Sequence, residues 1–392
     1  MPDRIKVCQV LSNYVVGGAE MVALDIARGL DPERFESLVV TVIEPDGPDE
    51  PEMRRRFREA GIPTFALHHR NFRDPRTLWD MARFFRRQRP DILHGHKRFS
   101  DAWACRVGRW AGVPHRIWTR HSVYRDMNAR QLRRYRTLAP RTPVVVAVSD
   151  VVRQNCLQTE GLPAALVRTV VNGIDTERFA PRAAAERAAI RAALGVEPDE
   201  QLLLFVGRLS EEKAPEAFPP LVARLAAQGL AVRGFMCGDG PLAARVRAAA
   251  AGTPVTLLGV RRDIPELLAA CDLLVSTSRV EGLPLNIMEA MAAGAAFVGP
   301  DLDQVLQLVT GEPDLAAGVY PRPPDRGPVP DDQLARWAAL TAARLADADG
   351  RQRSGRRGRA VIGERFSLDR MVRTYAGIYE DIVAGRLRPA PQ

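Results

Sequence analysis

The chain has 392 residues, enough for two domains of ordinary size, and 46% of them are hydrophobic, enough to fill two cores. Lys and Arg number 56 against 47 Asp and Glu; the formal net charge of +9 favours anionic partners without choosing among nucleotides, phosphates, nucleic acid and an acidic membrane face. No segment approaches a transmembrane span, and no basic strand rich in aromatics resembles an RNA-binding sheet.

Strand and helix alternate from the start. Ile5 to Leu11 is a buried-type strand, too short for a signal-peptide core, which argues against secretion. A Gly17-Gly18 turn follows, then a helix from about Ala19 to Leu30 with Met21, Val22, Leu24 and Ile26 as its apolar positions. Ser37 to Val42 is the next strand, and Asp80 to Arg89 is a helix that stops before Pro90. Short strands are expected at Ile92 to His94, Arg116 to Thr119 and Val144 to Val148. After a Pro- and Ala-rich stretch the pattern restarts, with strands at Leu202 to Val206, Ala231 to Met236, Thr256 to Leu258, Leu273 to Ser276 and Ala296 to Val298. Pro321 to Pro330 is a proline-dense, exposed excursion, and a last helix runs from about Leu368 to Ala384. The fold class is therefore α/β: two doubly wound, Rossmann-like domains, with parallel sheets covered on both faces. Residues 1–178 form the first domain, 179–367 the second, and 368–392 a terminal helix. Ligands of such domains bind beyond the C-terminal ends of the strands, so functional residues should follow strands, facing an inter-domain cleft.

Most of the arginine is scattered along helices, as at Arg54 to Arg56, Arg86-Arg87, Arg133-Arg134 and Arg356-Arg357, which suits solvated faces better than a nucleic-acid patch. Cys8, Cys105, Cys156, Cys237 and Cys271 are odd in number and form no CxxC pair; buried, reduced thiols in a cytoplasmic protein are expected.

Glu281-Gly282-Leu283-Pro284-Leu285 leads from a strand into a helix carrying Glu289. The helix start offers backbone N–H groups to a phosphate. Glu281, at the mouth of the turn, is placed to reach a ligand hydroxyl, and Glu289 to hold a ribose. Gly207-Arg208-Leu209 follows the first strand of the second domain and runs on to Lys213. Arg208 can fork two phosphate oxygens and Lys213 adds a point charge, so the pair suits a diphosphate leaving group. Gly238-Asp239-Gly240 and Gly259-Val260-Arg261 also follow strands; these turns either admit a flat base or simply close a loop. Gly17-Gly18 opens the first helix but is not a GxGxxG fingerprint, so hydride chemistry has no support. His94-Gly95-His96 ends a strand, with no Asp or Cys cluster to complete a metal site, and no metal is expected. His121 follows a strand, where it either packs or touches substrate.

These pieces together resemble the retaining GT-B glycosyltransferases of family four. The likeness covers nearly the whole chain and lies in the order of its parts: Gly17-Gly18-Ala19-Glu20, His121, Ser149, Asn172-Gly173-Ile174-Asp175 with Phe179, Arg208 with Lys213, Gly238-Asp239-Gly240, and Glu281 with Glu289. The resemblance implies that Arg208 and Lys213 bind the diphosphate of a nucleotide sugar, that Glu289 holds the ribose, and that Glu281 with Gly282 to Leu285 contacts the transferred sugar. It further implies that His121 lines the sugar site, that Gly17 and Gly18 lie near the diphosphate and acceptor, and that the final helix crosses back to the N-terminal domain. A UDP-hexose donor, front-face displacement with retained anomeric configuration and no requirement for a divalent metal are the family's usual pattern.

Two departures stand out. Ala214-Pro215 follows Lys213 where the family usually has Gly, and Asp303-Gln304 with Gln307 align where it usually has Gly-Gly and Glu. The acceptor is expected to be written between about Asn71 and Asp126. Asp101, Asp126, Asp301 and Asp303 would suit a polyamine-like small molecule such as an aminocyclitol antibiotic precursor. A lipid-linked or polysaccharide acceptor is the rival, with membrane contact. Other classes are an NDP-sugar epimerase on the same fold, and a non-catalytic nucleic-acid binder, against which Arg208, Lys213, Glu281 and Glu289 argue together.

Overall fold

The computed structural model describes residues 4–43, 50–67, 69, 74–124 and 127–387. Two compact units emerge, Met1–Gly173 with Leu368–Gln392, and Ile174–Ser367.

In the first unit, β1 (Ile5–Leu11), β2 (Phe35–Thr41), β3 (Thr64–Ala66), β4 (Ile92–His96), β5 (His115–Arg120), β6 (Val145–Ala147) and β7 (Val167–Thr169) pair in parallel in the order β3-β2-β1-β4-β5-β6-β7. Val7, Cys8 and Val10 of β1 are all buried, as expected of a central strand covered on both faces. The helix Gly18–Gly29 covers one face. The helix Leu368–Val383 packs beside it, so closely that a Cβ on Gly29 would lie 2.7 Å from a Val372 methyl. Beyond β5, the buried Arg120 donates to both Glu160 carboxylate oxygens at 3.0–3.2 Å and lies over the Tyr135 ring. That anchors the end of the helix Asp150–Gln158 to the strand that leads into His121.

In the second unit, β8 (Gln201–Val206), β9 (Val232–Cys237), β10 (Val255–Gly259), β11 (Leu273–Val275), β12 (Phe297–Pro300) and β13 (Val319–Tyr320) form a parallel sheet in the order β10-β9-β8-β11-β12-β13. Its core includes Leu203, Phe205, Phe218 and Trp337, and Trp337 stacks on Tyr320 at 4.3 Å. Both sheets reverse strand order beside their first strand, as doubly wound sheets do. The short strands β3, β7 and β13 were not expected from the sequence. Cys8, Cys156, Cys237 and Cys271 are buried free thiols. Among the described residues no helix is long and apolar enough to cross a membrane.

Candidate active site

The second sheet reverses between β8 and β11, and the two loops leaving those strands interlock there. Lys213 Nζ donates to Glu281 Oε1 at 2.5 Å, and Ser278 Oγ donates to the same oxygen at 2.6 Å. Thr277 Oγ1 reaches the Lys213 and Ala214 carbonyls at 2.8 and 3.0 Å. The buried Arg279 donates to the Glu211, Pro324 and Gly327 carbonyls, fixing the first loop and the proline-dense segment at once. Gln304 Nε2 donates to the Glu281 carbonyl at 2.7 Å, so a residue that departs from the family pattern holds the Glu281 main chain. Ala214, the other departure, is a buried alanine at φ +42°, in the left-handed region that favours glycine.

Arg208 is exposed on the same loop as Lys213. Leu283 and Pro284 are buried, and Pro284 caps the helix Leu285–Ala292 without a side-chain hydrogen bond; Asn286 Oδ1 accepts from the Ile287 N–H at 3.0 Å, leaving the Leu285 and Asn286 N–H groups for other partners. Glu289 sits on that helix, partly exposed. The Gly238 turn closes the neighbouring loop: Gly238 has φ +138°, and a Cβ there would fall 1.9 Å from the Gly207 carbonyl oxygen. Backbone approach therefore accounts for that glycine without a ligand. Arg261 is engaged by Asp263, donating Nε to Oδ1 at 2.8 Å, and does not share in the Lys213 cluster. The Asp301 carboxylate accepts from the Arg322 backbone at 2.6 Å, and Asp303 is exposed. Asn71, Asp126 and the side chain of Asp101 lie outside the described residues.

The first sheet reverses between β1 and β4, and buried polar groups collect there. Gly17 is the extended cap of the first helix, Gly18 is exposed, and Glu20 is buried against Lys97, which follows β4. His96 Nε2 donates to Gln9 Oε1 at 2.7 Å. Its Nδ1 then accepts from His121 Nε2 at 2.9 Å, and the two rings stack. With its Nε2 hydrogen so used, His121 keeps Nδ1 as an acceptor. His94 bonds Tyr379 at 2.6 Å through Nδ1 and Thr119 at 2.7 Å through Nε2, and Thr119 meets Tyr375 at 3.1 Å. The terminal helix is thus latched to the strand ends beside His121. Burial pushes His96 down to about 3, with the Lys97 charge adding to the effect. Burial likewise holds His94 and His121 well below the ordinary histidine value, so all three rings are neutral at neutral pH.

Residues 16–178 match Glycosyltransferase Family 4, and residues 200–322 match Glycosyl transferases group 1. The D-inositol 3-phosphate glycosyltransferase of Geodermatophilus obscurus is 31% identical over 77% of this chain and 69% of its own length. The chain belongs to glycosyltransferase family 4. This glycosyltransferase is also 24% identical, over 80% of its length and 83% of the relative's, to the Escherichia coli UDP-Gal:alpha-D-GlcNAc-diphosphoundecaprenol alpha-1,3-galactosyltransferase. It is 27% identical to the alpha-D-kanosaminyltransferase of Streptomyces kanamyceticus, over 61% of this chain and 60% of that one. Its fold is GT-B: the Anabaena HepE structure, solved with UDP and glucose, superposes with a TM-score of 0.80 at 20% identity, covering 96% of this chain and all of that one.

Sequence reasoning placed Lys213 and Glu281 after strands but gave no sign of their contact. It passed over Arg279, Ser278 and Lys97 altogether. Arg279 carries no signal beyond its position two residues before Glu281. Lys97 has one: it directly follows an apolar strand that ends in His-Gly-His.

Proposed function

We propose that this glycosyltransferase moves a hexose or aminohexose from a UDP-linked donor to an acceptor hydroxyl, with retention of anomeric configuration and without a required metal. The observation that supports this best is the Lys213–Glu281 pair at the reversal point of the second sheet, next to Arg208 and the uncapped start of the helix Leu285–Ala292. Fixed cations placed there neutralise a diphosphate as its charge develops, an effect worth about 2.7–4 kcal/mol per donor by analogy with oxyanion sites. Arg208 forks the diphosphate and Lys213 adds its charge, in place of a divalent ion. Glu281 orients Lys213 and contacts the sugar, together with the backbone from Gly282 through Leu283 and Pro284 to Leu285. Glu289 accepts from the ribose hydroxyls. Gly238 and Arg261 are the weakest of the nucleotide-contact assignments, since one is explained by loop closure and the other is held by Asp263.

The second unit binds the nucleotide sugar in this reading, and the first binds the acceptor. His121 offers Nδ1 to a sugar hydroxyl, and the Gly17-Gly18 backbone lies near the diphosphate and acceptor. Displacement takes place on the front face: the acceptor oxygen bonds to the anomeric carbon on the side from which the diphosphate leaves, and the acceptor's proton passes to the departing phosphate oxygen.

An aminohexose donor draws support from the kanosaminyltransferase likeness, and a lipid-linked saccharide acceptor from the undecaprenol-diphosphate relative, with an aminocyclitol as the small-molecule alternative. The donor assignment is tested by calorimetric titration of UDP into the wild type and Glu289→Gln. Weaker binding in the variant supports the ribose role, and unchanged affinity removes it.

A further inference from the structure

Glu281 is held from several sides. Lys213 and Ser278 fix its carboxylate. On the N-terminal side, the Arg279 N–H donates to the Glu212 carbonyl at 2.7 Å, which ties the chain entering Glu281 to the loop after β8. On the C-terminal side, the Glu281 carbonyl accepts from Gln304 Nε2 at 2.7 Å. Glu281 is 6% exposed and Gln304 5%, so water competes little for this bond and its loss leaves a buried carbonyl unsatisfied.

Gln304 brings its hold from another strand. It is the second residue of the helix Asp303–Val309, which follows β12. Val305 and Leu308 of that helix are buried, and the chain before it is anchored where the Asp301 carboxylate accepts from the Arg322 N–H at 2.6 Å. The Gln304 amide therefore stands on a fixed base. A peptide unit is planar and trans, so fixing the Glu281 carbonyl fixes the whole link from Glu281 to Gly282. Gly282 has no side chain with which to hold that plane by packing. One side chain from the segment after β12 thus sets the main-chain path from Glu281 toward the start of the helix Leu285–Ala292.

We propose that Gln304 is a positioning residue for the donor sugar, acting through Glu281 to set which UDP-hexose the site prefers. This rests on the proposed donor site, in which Glu281 and the backbone from Gly282 to Leu285 contact the sugar, whereas Arg208 and Glu289 hold the nucleotide. Losing the Gln304 bond loosens the sugar contacts and leaves the nucleotide contacts in place. Hexose epimers differ only in where a hydroxyl points. A site tells them apart by hydrogen-bonding groups held in one place, and loosening those groups blunts the choice. A purely structural Gln304 has another signature: lower stability, with UDP and UDP-hexose binding changed alike.

The test uses the full chain and calorimetric titration of UDP, UDP-glucose, UDP-galactose and UDP-N-acetylglucosamine. Wild type is compared with Gln304→Met, Gln304→Asn and Leu306→Ala, and a urea titration establishes that each is folded. Gln304→Met keeps the length of the side chain and removes the N–H donor; Gln304→Asn stays polar and withdraws the donor by one carbon. Leu306, 40% exposed on the same helix, controls for any change to that helix. Whichever Gln304 variant folds should bind UDP within about twofold of wild type. Its affinity for the best-bound UDP-hexose should fall about three- to tenfold, the worth of one neutral hydrogen bond, and its preference among the three sugars should narrow. Leu306→Ala should bind all four as wild type does. Equal losses for UDP and the best UDP-hexose, or an unchanged preference among the sugars, overturns the positioning role and leaves the donor site standing. Binding of none of the four by the wild type overturns the donor site, and the role of Gln304 with it.

Discussion

Lys213 Nζ and Glu281 Oε1 lie 2.5 Å apart, joining the loop after β8 to the loop after β11 where the second sheet reverses its strand order. The two residues are 68 positions apart in sequence, and Ser278, Thr277 and Arg279 hold the same junction from the β11 side. Because the ammonium is already oriented before a ligand arrives, little reorganisation is left for the reaction step. Lys213→Ala is expected to lower kcat by about 10²–10³. Stability should also fall, by about 1–3 kcal/mol, because the buried Glu281 carboxylate loses its ion-pair partner and keeps the Ser278 hydrogen bond. Steady-state kinetics beside a urea titration separates the two effects. Turnover within about threefold of wild type would remove Lys213 from the diphosphate role.

Ala214 follows Lys213 in a left-handed backbone conformation, φ +42° and ψ 49°, where a Cβ crowds the main chain. Thr277 holds its carbonyl at 3.0 Å, so the surrounding contacts enforce that conformation. Ala214→Gly relieves the crowding and is expected to stabilise the second unit by about 1 kcal/mol. A raised urea midpoint at unchanged m-value is the expected result; a lowered midpoint would show that the alanine is unstrained.

The neutral histidines make stability depend on pH. Each of His94, His96 and His121 is neutral in the fold, whereas the unfolded chain protonates them near the ordinary value of about 6.5. As pH falls through that value, the unfolded state takes up protons that the fold does not, and stability drops. For His96 the loss continues down to its folded value of about 3. Between about pH 7 and about pH 5, His96 should account for about 2 kcal/mol of lost stability. Urea unfolding of wild type and His96→Gln at both values checks this, since the variant's loss over the interval should be smaller by that amount. Identical pH dependence in the two proteins would mean that His96 is already protonated in the fold.

Much of the fold was legible because buried parallel strands read as continuous apolar runs. Leu202 to Val206 and Val144 to Val148 lie within a residue or so of β8 and β6. The strands that went unread are β3 and β7, with 3 residues each, and β13 with 2, too short to show a period. The bounds of the helix Ala129–Leu138, which carries Arg133 and Arg134, went unread because it is mostly polar, although Asn128 and Gln131 form a capping box that the sequence does display. The site was legible only as separate pieces. Spacing along the chain shows that Lys213, Glu281 and His121 each follow a strand, but not which side chain meets which. His94 illustrates the limit: the sequence shows a His-Gly-His strand end but no partner for it, whereas in the fold its Nδ1 bonds Tyr379, 285 residues away, and its Nε2 bonds Thr119. The arginines of the helix Ala129–Leu138 were read as a solvated face, and only the fold brings them to Arg109 and Arg116.

The most direct test of the central claim is nucleotide release from a panel of UDP-, GDP- and dTDP-hexoses, with and without soluble aminocyclitol and lipid-linked saccharide acceptors, with the product anomer determined by NMR. The account predicts UDP release from one hexose that requires one acceptor, and a glycosidic bond of the donor's own anomeric configuration. An inverted bond would contradict the retaining mechanism. Release of UDP from any donor at the same rate with and without every acceptor, leaving a free or epimerised sugar, would contradict transfer itself.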